Sequence, residues 1–176
     1  MEHTSKPISA NYGIYLALFL SAITILAYVI NLEWLTSVWV GVGLFVVIIA
    51  FGIFAAAKTK SAQNGFISFK EAFTSYFKTI AIGVLISSAV SIVLFNFIDP
   101  EAAEFLKQQV IEKSTQMMEN FGAPQEAIDQ AVADMQEQNQ FETVNQLKSL
   151  AFQLVFYAVI GLIVALILKK TDPDAN

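Results

Sequence analysis

Four runs of about 20 apolar residues, each free of charge, constrain this chain more than any other feature. They cover residues 12–32, 35–57, 79–98 and 149–168. The hydrocarbon core of a bilayer is roughly 30 Å thick and an α-helix rises about 1.5 Å per residue, so each run is long enough to cross. The competing reading, four buried helices of a soluble domain, fails on coverage, because too little amphipathic helix remains to shield them. Composition agrees: 56% of the 176 residues are hydrophobic and 14% charged, against roughly 25% charged in an ordinary soluble domain. The expected fold class is all-α: one polytopic membrane domain with four transmembrane helices and an extramembrane helical hairpin between helices 3 and 4. The first run exceeds a signal-peptide core and no small-x-small site follows it, so it reads as a retained span.

Lysines in short flanking loops set the orientation of such a chain. With four spans, the N-terminus, the 58–78 loop and the C-terminus share one side. That side carries Lys6, Lys58, Lys60, Lys70, Lys78, Lys169 and Lys170, whereas the opposite side has only Lys107, Lys113 and Lys148. Both termini are therefore expected in the cytoplasm and the long 99–143 segment outside. Trp34 and Trp39 flank the short turn between spans one and two, where indoles favour the membrane–water interface.

Local signals mark the helix ends. Asn64-Gly65 reads as a turn, and Ser68-Phe69-Lys70-Glu71 matches a capping box, in which Ser68 and Glu71 satisfy free N–H groups of the first turn. Residues 69–78 then form an interfacial ramp into the third span, with Phe66, Phe69, Phe73 and Phe77 on one face and Lys70 and Lys78 snorkelling to headgroups. Asp99-Pro100-Glu101 combines an N-cap aspartate, a first-turn proline and an acid. Gly122 suits a C-terminal cap and Pro124 a restart at a first helical position. Phe105, Leu106, Val110, Met117, Met118 and Phe121 trace one apolar face; Ile128, Ala131, Val132 and Met135 trace a second, ending near residues 138–140. Those two faces are expected to bury each other in a hairpin, with the bilayer surface or a partner as the alternative cover. Thr143 is the expected cap of the helix entering span four.

Within the spans, Ser75, Thr79, Gly83, Ser87 and Ser91 recur every four residues, and Gly13, Ala17 and Ser21 form a shorter series. Small residues at this spacing let helix backbones approach closely, so both rows are read as packing seams, with Gln153 as an interhelical hydrogen bond. A pore lining by the same row is the rival reading.

Chemistry finds little support. There is no cysteine, and the single histidine is His3, which leaves no histidine triad or histidine-thiolate metal site. All ten basic residues are lysine and the net charge is −5, which disfavours nucleic acid as a partner. No span carries an ionisable side chain in its interior, as coupled transporters usually do. The ten carboxylates of 99–143 lack the calcium-loop pattern and read as solvated faces. No catalytic, cofactor or metal residue is assigned, and the chain is read as no enzyme. Its expected partners are the lipid bilayer, a protein at the hairpin and further copies of itself.

Three stretches carry a resemblance: Gly65-Phe66-Ile67-Ser68-Phe69-Lys70-Glu71-Ala72-Phe73, with the form Gly-x-x-Ser-Phe-x-x-Ala-Phe; Ile98-Asp99-Pro100; and Phe121-Gly122-Ala123-Pro124-Gln125-Glu126-Ala127-Ile128. The chain resembles, over nearly its whole length, a bacterial family of small four-helix membrane proteins catalogued as a domain of unknown function. The resemblance implies a bacterial cytoplasmic (inner) membrane location and supplies no catalytic residues. Two functions stay open on the sequence: a non-enzymatic scaffold or accessory subunit presenting the acidic hairpin to a partner, and a small oligomeric transport or channel component.

Overall fold

A computed structural model describes residues 2–137 and 141–171. Among the described residues six α-helices follow one another: α1 (Glu2–Ile30), α2 (Val38–Ala62), α3 (Phe69–Val93), α4 (Pro100–Asn120), α5 (Gln125–Glu137) and α6 (Thr143–Leu168). A 3₁₀ turn, Leu32–Thr36, joins α1 to α2, and a π-helical turn, Leu94–Ile98, extends α3. Among the described residues four segments are long and apolar enough to cross a membrane: Pro7–Ile30, Val38–Ala62, Phe69–Ile98 and Thr143–Leu168. Their outward faces are apolar, as a lipid-facing surface requires; Phe152 and Ile167 are 77% and 75% exposed.

The central helix is α3, which packs on α1, α2 and α6. Tyr76 sits at the middle of this packing with its ring fully buried. Only glycines let its neighbours approach. A Cβ on Gly52 of α2 would lie 2.6 Å from Tyr76 Cδ2, and one on Gly161 of α6 would lie 2.7 Å from Tyr76 Cδ1. The ring is thus clamped between two bare backbones, one on each side.

One end of the bundle gathers the α2–α3 loop, the start of α1 and the end of α6. The loop turns through Asn64 and Gly65, both at positive φ. Ile67 and Lys170 exchange two backbone hydrogen bonds of 2.9 Å, and Lys60 Nζ donates to the Leu168 carbonyl at 2.8 Å, occupying a free acceptor at the end of α6. Phe69, Phe73 and Phe77 stack along α3 with centroids 6.5 and 5.7 Å apart. Phe66 lies outside the helix and instead receives the Lys170 ammonium over its ring at 5.1 Å.

The opposite end differs from expectation in two respects. The buried face of α4 (Ala102, Ala103, Leu106) packs on Leu94 and Phe95 of the π turn and on Tyr28, Leu32 and Leu35, not chiefly on α5. The reason is competition for apolar surface: the ends of α1 and α3 present more of it than the short α5 does. α4 therefore lies over the α1–α2 connection. The α5 helix turns back along α4, and Lys107 Nζ donates to the Gln136 carbonyl at 2.8 Å. The expected end of α5 at 138–140 lies outside the described residues. Glu142, not Thr143, holds the N-cap position of α6; the Thr143 hydroxyl is drawn to Asn96 Oδ1 instead, at 3.2 Å.

Candidate functional site

The predicted seam residues separate into two environments. On α1, Gly13 faces Ile82, where an added Cβ would come within 2.8 Å of its Cβ, and Ala17 is buried. The Ser21 hydroxyl is buried without a hydrogen-bond partner. On α3, Gly83 admits Leu16 so closely that a Cβ would lie 2.5 Å from Leu16 Cδ2. Thr79 Oγ1 donates to the carbonyls of Ser75 and Ser9, and the Ser75 hydroxyl meets Thr59 Oγ1 of α2 at 2.8 Å. Ser9, Thr59, Ser75 and Thr79 are all buried, so this hydroxyl cluster ties α1, α2 and α3 together.

The row does not continue as one seam. Ser87 is half-buried and donates to its own helix at Val84 O, while Ser91 lines an open groove. Helical geometry explains the change: each four-residue step overshoots a turn by about 40°, so Ser91 is rotated by about 160° from Ser75. Gln153 likewise makes no bridge to another helix. It is exposed on α6, lines the same groove and engages the Tyr157 hydroxyl one turn along its own helix.

The junction of α3 with α4 is the second feature. Asp99 N-caps α4, accepting from the Ala102 N–H through Oδ1 at 2.9 Å, with Pro100 at the first helical position. Its other oxygen accepts from the Tyr28 hydroxyl of α1 at 2.9 Å. The Ala102 amide and then the Tyr28 hydroxyl hold the Asp99 carboxyl below the usual carboxylate range. Asn96 Nδ2 donates to the Phe141 carbonyl at 2.9 Å, pinning the chain where it re-enters the bundle. Further along α4, Lys113 Nζ donates to Thr36 Oγ1 at 2.6 Å. The fastening roles of Tyr28, Asn96 and Lys113 were not legible in the sequence, because their partners lie 71, 45 and 77 residues away.

The remaining caps are local. Ser68 and Glu71 exchange both bonds of a capping box at the start of α3. Gly122, at φ +72°, follows α4; its N–H reaches Glu119 O and that of Ala123 reaches Met118 O, the paired bonds of a Schellman motif. Pro124, expected at the first position of α5, instead directly precedes the helix, and its carbonyl accepts the Ile128 N–H. Among the described residues, no group of three or more His, Cys, Asp or Glu side chains is placed to hold a metal ion.

These features define a multi-pass membrane protein: four apolar spanning helices, a central helix clamped by glycines, and an amphipathic helix fastened across one end. The chain belongs to a family described as protein of unknown function (DUF4199), whose model matches residues 11–170. No curated protein and no solved structure matches it.

Proposed function

We propose that this protein is a non-enzymatic membrane scaffold or accessory subunit that holds an acidic helical hairpin, α4–α5, ready for a protein partner. The observation that carries the reading is the mounting of α4. Tyr28–Asp99, Lys113–Thr36 and the buried Leu106 fix it to the bundle end. Meanwhile Phe121 is 85% exposed, and Glu126, Asp129, Asp134 and Glu137 of α5 are exposed. A surface held in place before binding loses less conformational freedom when a partner arrives. The lysine asymmetry favours both termini in the cytoplasm and the hairpin outside, and the resemblance to a bacterial membrane family favours the inner membrane. Engagement of Thr79 and Gly83 in α1–α3 packing favours the scaffold over a passage lined by that row.

The test places a photo-crosslinking residue at Asp134 in native membranes. A discrete adduct, lost when Asp129 and Glu126 become lysine, is expected. No adduct above that at Ser61, on the opposite end, refutes the reading. Because the chain lacks cysteine, Ala133→Cys and Ser61→Cys report the side directly. An impermeant maleimide should label residue 133 and not 61 in cells with a permeabilised outer envelope; the reverse pattern inverts the topology.

A further inference from the structure

Toward the α4 end the bundle opens sideways. The first half of α6 carries exposed side chains, including Ser149, Phe152 and Gln153, and open space surrounds Gly41 and Gly43 on α2. Between α3 and α6 this leaves a groove of about 440 Å³. Ser88 and Ser91 line it from α3, Gln146, Ser149 and Gln153 from α6, and Thr36 from the α1–α2 turn. Val110 of α4 and Phe141 add apolar wall. No charged side chain lines it. Lys113, which reaches Thr36, belongs to a separate groove with Trp39 and Phe121.

Hydroxyl and amide groups at the edge of hydrocarbon are costly unless they are hydrogen-bonded. The lower hydroxyls of α3 meet that need inside the bundle, through Thr59 and Ser9. Ser91, turned to the groove, and Gln153, whose amide keeps bonding capacity beyond its contact with Tyr157, face whatever enters from the bilayer. The volume falls within the usual small-molecule range of about 300–1,000 Å³, enough for the polar part of a lipid but not its chains. A phosphate seated there would be desolvated with no cation in the lining.

We propose that this groove binds the polar region of an uncharged lipid of the diacylglycerol class: glycerol esters accept from the Ser and Gln donors, the free hydroxyl bonds the Gln153 amide, and the acyl chains lie along the exposed apolar face of α6. The full chain, reconstituted in phosphatidylcholine vesicles containing a photoreactive diacylglycerol, supplies the test. Labelling should concentrate in residues 84–93 and 146–156. It should be competed by unlabelled diacylglycerol and not by added phosphatidylglycerol. Gln153→Leu, at an exposed position, and Ser91→Ala should each lower it about fivefold, the loss of roughly one neutral hydrogen bond. Helicity and elution volume, unchanged in both variants, separate lost binding from lost folding. Labelling spread evenly over the four spans, indifferent to both substitutions, or competed equally by phosphatidylglycerol overturns the proposal.

Discussion

Replacing Gly161 by alanine probes the clamp on Tyr76 with a single methyl group. The new Cβ would sit 2.7 Å from Tyr76 Cδ1, 2.9 Å from Cε1 and 3.3 Å from Phe73 Cε2. The ring cannot retreat, because Gly52 backs it on the other side, where a Cβ would already be 2.6 Å from Cδ2. Either α6 moves off α3 or the ring leaves its rotamer, and overpacking of this kind costs about 1–3 kcal/mol. Alanine also gains helix propensity over glycine, by up to about 1 kcal/mol. Gly41→Ala measures that gain alone, since nothing lies within 4 Å of its Cβ. Unfolding in mixed micelles, followed by far-ultraviolet circular dichroism, should therefore place Gly161→Ala about 1–3 kcal/mol below Gly41→Ala. Adding Tyr76→Leu should remove most of that difference, because the atoms in conflict are gone. Equal stability of the two alanine variants, or a deficit that persists in the Tyr76→Leu background, would refute the clamp.

Three further outcomes follow from other contacts. Thr59→Val and Ser75→Ala should couple by about 0.5–1.5 kcal/mol in a double-mutant cycle, the range for hydrogen bonds between membrane helices, and additive losses would deny the bond. The Asp99 carboxyl is held low by the Ala102 amide and the Tyr28 hydroxyl, so its contribution is present above the unfolded value near pH ~4 and lost as pH falls through the lowered folded value. Hydrogen exchange at the start of α4 should accordingly accelerate on acidification in the wild type, while Asp99→Asn shows no such acid-dependent step. Gly122→Ala, forced to keep φ +72°, should destabilise the α4–α5 turn by about 1 kcal/mol, seen as faster proteolysis between residues 119 and 126; an unchanged cleavage rate would remove the steric argument.

What could be read from the sequence depends on the range of the force involved. Spanning helices announce themselves through composition over about 20 residues, since the bilayer acts on each segment separately. Caps are legible because donor and acceptor lie within four residues: Ser68 with Glu71, Asp99 with Ala102. The resting place of α4 was not legible. Its amphipathic face fits α5 or the bundle end equally well in one dimension, and only the assembled ends of α1 and α3 show where more apolar surface waits. The row from Ser75 to Ser91 misled for a related reason: a spacing of four names one face over two turns and drifts off it over four. Gly52 and Gly161 carried no signal, since a mid-helix glycine acquires meaning only when a ring 76 residues into the chain arrives between them.

The fastening of residue 170 to residue 67 bears on the order in which the bundle is built. Chains enter the membrane from the N-terminus at the pace of synthesis. The helices that meet first are α1, α2 and α3, already joined by the Thr59–Ser75 and Ser9–Thr79 bonds. Until α6 emerges, Tyr76 has Gly52 on one flank and only lipid on the other. The Lys60 ammonium and the Ile67 backbone likewise wait on headgroups or water for Leu168 and Lys170. Of the four spanning helices, α6 is the latest in the chain, so the Tyr76 clamp and the Lys60–Leu168 and Ile67–Lys170 bonds close only once it is in place.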